Sequence, residues 1–226
     1  MPVEHPLYPV NLVVDGRPCL VVGGGPVALH KVRGLVEAGA RVTVVAPELD
    51  PGILELAERG AAAAEAAEAG HGDVVGEARP YRRGEAASYR LVVAATGDTS
   101  LNQQVYDDAE AGGVWINSAD DPERCTVTLP ARLRQGRLSV TVSTAGHSPA
   151  VAAWLRDRLA ANLGPEYDQL IGLLAEERLR VQRQGRSTED LDWRSALDSG
   201  ILELIRAGRL EAARERLRAC LSSSSD

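Results

Sequence analysis

The stretch LVVGGGPVALHK at residues 20–31 sets three consecutive glycines between an apolar run and a helix-like segment. Glycine costs backbone entropy on folding, so it is placed where the chain must turn sharply or approach another group closely. Residues 23–28 match the pattern G-x-G-x-x-G/A, with Ala28 at the last position. A predicted strand at 18–22 precedes the match and a predicted helix at 26–38 follows it. In that context the pattern predicts a turn that holds a dinucleotide pyrophosphate at a helix N-terminus.

The residues of this loop have separate physical tasks. Gly23 permits the tight turn, and Gly25 lets a pyrophosphate approach the backbone. Pro26 lacks an N–H group and suits the first helical turn. Val-Ala-Pro stands where an acidic residue should end the second strand, and Glu48 lies slightly further along the chain than that position. The sequence favours NAD over NADP because no arginine stands there for a 2′-phosphate; a glycine turn with no nucleotide is the alternative.

The rest of the chain predicts a parallel sheet and then a different architecture. Strands predicted at 41–46, 90–95 and 114–117 alternate with helices predicted at 51–59 and 100–111, which indicates βαβ units. The segment 61–77 has a weak pattern and predicts a poor strand or helix followed by a surface insertion around 69–77. An antiparallel hairpin is predicted from 125–133 and 137–144, and helices from residue 148 onward. The predicted domains are a Rossmann-like α/β domain at 1–117, a middle hairpin segment at 118–147 and a helical dimerisation domain at 148–226.

Composition excludes several classes of function. The 226-residue chain has a net charge of −7, which argues against a broad nucleic-acid footprint. Its three cysteines are far apart and form no C-x-x-C, which is typical of a reducing compartment. Residues 1–10 lack the features of a secretory signal, and no apolar run has the length of a membrane span. Four dispersed histidines show no metal-ligand spacing. We therefore expect a cytoplasmic protein with no resident metal, no nucleic-acid partner and no membrane contact.

Four further stretches carry a family resemblance. The chain contains LVVGGGPVALHKVRGLVEAGARVTVVAPEL, LVVAATGDTSLNQQV, INSADDPERCTVTLPA and LSVTVSTAGHSPAVAAWLRDRL, in that order. Together they resemble the precorrin-2 dehydrogenase/sirohydrochlorin ferrochelatase family, the N-terminal module of siroheme synthases. The glycine loop alone is unspecific, whereas the AAT…N segment, the N-x-x-D turn and the STAGHSP loop together are highly specific. The helical tail resembles the dimerisation segment of that family.

The resemblance implies an activity and a set of contacts. The family oxidises precorrin-2 to sirohydrochlorin with NAD+, and many members then insert Fe2+ to give siroheme. Pro26-Val27 and Pro47-Glu48 fall on the family's dinucleotide contacts, and Thr96 and Gly97 would lie beside the nicotinamide half. The resemblance also implies a homodimer. No counterpart of the family's methyltransferase domain follows residue 226, which predicts a chain that consumes precorrin-2 without making it.

Proton transfer and substrate binding need further residues. Asp120 falls on the family aspartate and is the predicted catalytic base, because oxidation and metal insertion both release protons; without the resemblance, an Asp-Pro surface turn explains it equally well. The tetrapyrrole carries several carboxylates, so its binding site should present cations, hydroxyls and amides. The predicted substrate-binding residues are Asn117, Arg124, Ser143, Thr144, His147 and Ser148. His147 could act in proton transfer or metal delivery, or could be a solvated loop residue.

Two other functions remain open at the level of sequence. The chain could be a dehydrogenase that leaves metal insertion to a separate chelatase, since Asp120 could serve oxidation alone. It could also be a nucleotide-sensing regulatory module whose helical tail is an interaction platform. The STAGHSP loop and the acidic turn argue against a sensor, because a sensor needs no proton acceptor opposite the nicotinamide.

Overall fold

The computed structural model describes residues 6–65, 72–119 and 121–223. It contains two compact units. The first unit runs to Leu129 and includes Ala145–His147; the second consists of Pro130–Thr144 and the chain from Ser148 onward. Contacts thus group residues 118–129 with the α/β part and the hairpin with the helices. The three-part division at 117/118 and 147/148 stays a prediction.

The first unit contains a five-stranded sheet in which every pairing is parallel. The strand order is β3-β2-β1-β4-β5. The strands are β1 (Pro18–Val22), β2 (Arg41–Ala46), β3 (Val74–Ala78), β4 (Leu91–Ala94) and β5 (Trp115–Ser118). The predicted Rossmann-like fold is confirmed. The order changes direction between β1 and β4, which is where ligands bind in such sheets.

Helices cover both faces of this sheet. They are α1 (Pro26–Val36), α2 (Pro51–Glu65) and α3 (Thr99–Ala111). Cys19 and Val21 of β1 pack in one apolar cluster with Ala28 of α1, whereas Leu20 and Val22 pack in a second cluster with Val105 of α3. Alternate residues of a strand point to opposite faces, so burial on both faces requires the continuous apolar run that β1 has.

Three predictions about the boundaries in this unit need correction. Helix α1 ends at Val36 instead of residue 38, and α2 continues to Glu65 instead of ending at residue 59. The surface insertion predicted around 69–77 is wrong for its second half, because Val74–Ala78 forms β3; residues 66–71 lie outside the described residues. The apolar pattern of β3 is weak because it is an edge strand, with Val75 54% exposed.

The segment after β5 is not the strand that its sequence predicts. Pro122–Arg124 form a single 3₁₀ turn, and the backbone N–H groups of Thr126 and Val127 both donate to the carbonyl of Ile116. The hydroxyl of Thr126 accepts a hydrogen bond from the Ile116 N–H at 2.9 Å. The Thr126 hydroxyl thus takes the place of a backbone hydrogen-bond partner on a neighbouring strand. The segment 125–129 therefore covers the edge of β5 but adds no strand to the sheet.

The second unit joins a hairpin to helices. Strands β6 (Ala131–Gln135) and β7 (Leu138–Val142) pair antiparallel across a turn in which Gly136 has a φ of 57°. The helices are α4 (Pro149–Ala160), α5 (Glu166–Arg183), α6 (Trp193–Ala196), α7 (Leu202–Arg206) and α8 (Leu210–Ser223), with a π-helical turn at Leu197–Ile201. Their core contains Leu173, Ile201 and Leu217. Among the described residues, no helix is both long and apolar enough to cross a membrane.

One carboxylate is buried in the second unit between two arginines. The side chain of Glu177 is 3% exposed, and its oxygens accept hydrogen bonds from Nε of Arg180 at 2.7 Å and Nε of Arg218 at 3.2 Å. Burial by itself raises the pKa of Glu177, but these hydrogen bonds and the arginine charges outweigh burial and hold the pKa below its ordinary value of 4.5. Glu177 therefore ties α5 to α8 in its ionised form.

The substitution Glu177→Gln is expected to lower the free energy of unfolding at pH 7 by about 1–3 kcal/mol, because two arginines lose a charged acceptor. A carboxyl group whose pKa is depressed on folding stabilises the fold above its unfolded pKa and loses that contribution as pH falls through the folded pKa. The difference between wild type and variant should therefore shrink below about pH 4.5 in urea titrations. Glu176→Gln is the matched control, since Glu176 is 61% exposed and makes a surface pair with Arg214. Equal losses in the two variants would contradict a special role for Glu177.

Candidate functional site

A cleft of about 500 Å³ lies at the carboxyl ends of the parallel strands, where the strand order changes direction. Four chain segments meet there: the glycine loop after β1, the end of β2, a segment after β3 and the turn after β4. The residues that line the cleft are Val22, Gly23, Gly24, Gly25, Val45, Ala46, Pro47, Glu48, Pro80, Tyr81, Ala95, Thr96, Gly97 and Leu101. The structure thus brings together six predicted cofactor residues: Gly23, Gly25, Pro47, Glu48, Thr96 and Gly97.

Two glycines of the loop are required by close contacts within the fold. Gly23 has a φ of 124°, and a Cβ built on it would lie 2.3 Å from the carbonyl oxygen of Ala95. A Cβ on Gly24 would lie 1.9 Å from the carbonyl oxygen of Glu48. These contacts pack the loop against the turns after β4 and β2, so the first two glycines shape the cleft floor. Local sequence gives Gly24 no role, because the residue that it meets, Glu48, lies 24 residues away along the chain.

Gly25 differs from both, because no described residue other than its two chain neighbours has an atom within 4 Å of a Cβ built on it. It precedes Pro26, the first residue of α1, and no side chain caps this helix. The first N–H groups of a helix have no partner inside the helix, and the helix dipole makes this end positive. Open space beside uncapped amides is the arrangement that a pyrophosphate needs. The residues present therefore fit a bound dinucleotide, with Gly25 and the amide of Val27 at the phosphates.

The turn after β4 is held by hydrogen bonds within the chain. Asn102 accepts a hydrogen bond from the Thr96 hydroxyl at 2.7 Å and donates its amide to the Thr96 carbonyl at 3.1 Å. Asp98 caps α3 by accepting hydrogen bonds from the Ser100 and Leu101 N–H groups. The Thr96 side chain is thus hydrogen-bonded to Asn102, and no described residue beyond the two neighbours of Gly97 has an atom within 4 Å of a Cβ added at Gly97. At Thr96-Gly97 it is therefore the backbone that remains to face a ligand.

The end of β2 is anchored to the glycine loop. The carbonyl of Gly24 accepts a hydrogen bond from the Asp50 N–H at 2.8 Å, and the Asp50 carboxylate accepts one from the Gly52 N–H at the start of α2. Pro47 and Glu48 lie between the end of β2 and Asp50, and both are exposed. The contact of Glu48 with a ribose hydroxyl stays a prediction.

The predicted catalytic base, Asp120, lies outside the described residues, but its neighbours do not. Asp121 caps the 3₁₀ turn by accepting a hydrogen bond from the Glu123 N–H at 3.0 Å, and its other oxygen pairs with the Arg124 guanidinium. Arg124 also donates from Nε to Gln103 at 2.6 Å. Arg124, predicted to bind substrate, is thus engaged in holding the 3₁₀ turn Pro122–Arg124.

A half-buried thiol closes the same turn. Sγ of Cys125 accepts a hydrogen bond from the Ser118 N–H at 3.2 Å and lies 3.3 Å from the carbonyl oxygens of Ser118 and Asp121. Burial raises the pKa of Cys125 and outweighs the hydrogen bonds that favour the thiolate, so the thiol keeps a proton to donate to one of these carbonyls. Cys125 thereby joins the two ends of the turn.

Asn117 lies beneath this turn at the end of β5. It is 7% exposed and donates from its amide to the carbonyl of Val127 at 3.1 Å. Its Oδ1 atom and the Oγ atom of Ser118 are buried and have no hydrogen-bond partner among the described residues. The amide nitrogen of Asn117 thus fastens residues 125–127 to β5, and the substrate-binding role of Asn117 stays a prediction.

The other predicted substrate-binding residues divide between the two units. Ser143, Thr144 and Ser148 belong to the second unit and His147 to the first. The Ser148 hydroxyl caps α4 by accepting from the Val151 N–H at 3.3 Å, and the Ser148 N–H donates to the Thr144 hydroxyl at 3.1 Å. Ala145 and Gly146 between them have positive φ values of 49° and 78°. Thr144 and Ser148 therefore shape the start of α4, and their contact with substrate stays a prediction.

Side chains that could ligate a metal are scattered over the fold. Within residues 6–65, 72–119 and 121–223, no group of three or more His, Cys, Asp or Glu side chains could hold a metal ion. The Fe2+ of the predicted reaction is a substrate, so its handling does not require a resident site.

Comparison with known proteins adds to this geometry. Residues 10–131, more than half of the chain, match the family model described as putative NAD(P)-binding. The chain belongs to this NAD(P)-binding family. The match supports the predicted cofactor, NAD, and the cleft lies inside the matched region. Residues 135–162 match the model described as sirohaem biosynthesis protein central.

Relatives and a solved structure confirm the predicted family resemblance. The siroheme synthase of Nitrosococcus oceani is 38% identical over 94% of this chain, and that of Thioalkalivibrio sulfidiphilus is 37% identical over 97% of this chain. The chain spans 43% of each of these relatives, so it corresponds to less than half of their length. The solved structure of SirC, precorrin-2 dehydrogenase, is 25% identical and superimposes with a TM-score of 0.70, covering 94% of this chain and 100% of that one.

Proposed function

We propose that this chain oxidises precorrin-2 to sirohydrochlorin with NAD+ as the hydride acceptor, in siroheme biosynthesis. The observation that carries the proposal is the open space at Gly25, beside uncapped helix amides, in a chain that matches a precorrin-2 dehydrogenase over nearly its whole length. We expect NAD over NADP, because an exposed carboxylate just after β2, that of Glu48, would repel a 2′-phosphate bound beside it.

The chain's own residues bind the two reactants, orient them and take up a proton. When bound, the nicotinamide supplies the hydride chemistry, so the protein needs mainly to position the two reactants. The glycine loop and the N-terminus of α1 bind the pyrophosphate, and the backbone at Thr96-Gly97 lies beside the nicotinamide half. Asp120 accepts the proton that leaves the tetrapyrrole. Hydroxyl, amide, guanidinium and imidazole groups would bind the substrate carboxylates; the residues that carry them are Asn117, Arg124, Ser143, Thr144, His147 and Ser148.

The proposal includes a second activity, insertion of Fe2+ into sirohydrochlorin. The relatives named siroheme synthase support it. Metal insertion requires the loss of pyrrole N–H protons, and the same carboxylate, Asp120, is a suitable acceptor for them.

The test supplies enzymatically generated precorrin-2 and NAD+ to the purified chain, follows sirohydrochlorin by absorbance, and then adds Fe2+. We expect sirohydrochlorin in the first stage and siroheme in the second. Product in the first stage alone would leave metal insertion to a separate chelatase. NAD+ binding with no turnover would instead indicate a nucleotide-sensing module and would overturn the proposed activity.

The proposed assembly is a homodimer formed through the second unit. Helix α4 exposes a set of large apolar side chains at helical spacing, namely Val151 at 49%, Trp154 at 55%, Leu155 at 38% and Leu159 at 36%. Exposed apolar patches of this kind mark interaction surfaces. Light scattering at micromolar concentration should return twice the chain mass of 24.0 kDa. A mass of one chain would contradict the dimer.

The cytoplasmic location, predicted from cysteine usage, is part of the same proposal.

A further inference from the structure

Tyr81 lines the cleft although no sequence motif points to it. It follows β3 and lines the cleft together with Pro80 and Leu101. Its ring packs on the α3 side of the sheet, in the same apolar cluster as Leu101 and Val45. An aromatic side chain at the wall of a cleft for a dinucleotide has a flat apolar face to offer a base.

Strand order identifies the half of the dinucleotide that would meet this wall. The pyrophosphate belongs at Gly25, at the end of β1, and the adenosine ribose of such ligands lies at the end of β2. In the order β3-β2-β1-β4-β5 the segment after β3 is on the β2 side, whereas Thr96-Gly97 follow β4 on the opposite side. The segment that carries Tyr81 therefore leaves the sheet on the adenosine side of the cleft, and its side chain reaches from there to Asp108 of α3.

The hydroxyl group of Tyr81 is held by the protein. It donates to Oδ2 of Asp108 at 2.9 Å and accepts a hydrogen bond from the Ala86 N–H at 3.3 Å. The same Asp108 oxygen accepts from the Gly84 N–H at 2.7 Å, so one carboxylate of α3 fastens the whole 81–84 turn. Burial and the hydrogen bond to Asp108 raise the pKa of Tyr81, which keeps the phenol neutral. Because the hydroxyl is already hydrogen-bonded within the protein, the ring is the part of Tyr81 that can contact a ligand.

We propose that the ring of Tyr81 stacks on the adenine of the bound dinucleotide, with Asp108 holding the hydroxyl so that the ring faces the cleft. The inference rests on the proposed NAD+ site and assigns its adenine-binding residue. An aromatic ring can stack on any purine base. Tyr81 would therefore contribute affinity, whereas the phosphate and ribose contacts select the dinucleotide.

Tyr81→Leu and Tyr81→Phe separate the ring from the hydroxyl. Titration calorimetry would use NAD+, ADP-ribose, which keeps the adenine, and nicotinamide mononucleotide, which lacks it. Tyr81→Leu retains apolar volume but has no aromatic face, so its affinities for NAD+ and ADP-ribose should fall by roughly 5- to 150-fold, the range expected for one stacked base. Its affinity for nicotinamide mononucleotide should stay unchanged. Tyr81→Phe keeps the ring and loses only the hydrogen bond to Asp108 that orients it, so its loss of affinity for NAD+ and ADP-ribose should be smaller than that of Tyr81→Leu, at most about three-fold.

The matched control is Tyr106→Leu, because Tyr106 packs against the same apolar cluster and does not line the cleft. This variant should bind NAD+ as the wild type does. Unchanged NAD+ affinity in Tyr81→Leu, or an equal loss for all three ligands, would overturn the stacking role. Failure of the wild type itself to bind NAD+ or ADP-ribose would overturn the proposed function, which makes the two failures distinguishable.

Discussion

The Asp120→Asn variant is expected to bind NAD+ as tightly as the wild type and to oxidise precorrin-2 roughly 10²–10⁴-fold more slowly, the contribution of a positioned general base. Asparagine keeps the size and hydrogen bonding of aspartate but lacks a basic carboxylate oxygen. NAD+ binding should survive because the glycine loop and the strand ends supply the dinucleotide contacts. Calorimetry with NAD+ and sirohydrochlorin formation at saturating NAD+ measure the two quantities separately.

Asp121→Asn is the matched control for this experiment. Asp121 accepts the Glu123 N–H hydrogen bond that caps the 3₁₀ turn, and an asparagine can keep that bond while losing the charge toward Arg124. Its turnover should stay within a few-fold of the wild type. Near wild-type turnover in Asp120→Asn would make the turn structural and would move the base to His147 or a bound water. A loss confined to oxidation would assign the protons of metal insertion to another residue.

Gly25→Val is expected to fold with a thermal midpoint near that of the wild type and to lose NAD+ affinity by at least ~100-fold, equivalent to about 2.7 kcal/mol. Gly25 has a φ of −88°, which valine can adopt, and among the described residues only its two chain neighbours can have atoms within 4 Å of the position that a Cβ would take. The added methyl groups therefore enter the space where the pyrophosphate belongs. Thermal unfolding and NAD+ calorimetry on the same preparation measure the two outcomes.

Two neighbouring substitutions calibrate that result. Gly25→Ala adds one methyl group and should give an intermediate loss of NAD+ affinity with an unchanged midpoint. Gly24→Ala should instead destabilise the first unit, because its Cβ would lie 1.9 Å from the carbonyl oxygen of Glu48. Undiminished NAD+ binding in folded Gly25→Val would exclude this loop as the pyrophosphate site.

Local sequence was a good guide wherever one element decides its own structure. The strands at 18–22 and 41–46 were predicted with the bounds that the structure has, because a continuous apolar run between glycine and polar residues suits a strand buried on both faces. The edge strand β3 was missed, since a segment that contains Gly76 and Glu77 has a weak apolar pattern and depends on pairing with β2. The predicted strand over 125–133 begins only at Ala131, because residues 125–127 are fastened to β5.

The same distinction holds for the candidate site. From residue order alone come the Rossmann-like fold, the glycine loop and the family resemblance, because a turn's backbone conformation and a strand's apolar run depend on neighbours in the chain. Only the folded chain reveals that Gly24 meets Glu48, that Asp108 holds Tyr81 and that Cys125 closes the turn at Ser118 and Asp121. The first two contacts join residues far apart in sequence, and all three depend on how strand ends and turns converge. The physical reason is that a parallel sheet gathers the ends of separate strands at one edge, so the cleft walls are set by strand order, which no local pattern encodes.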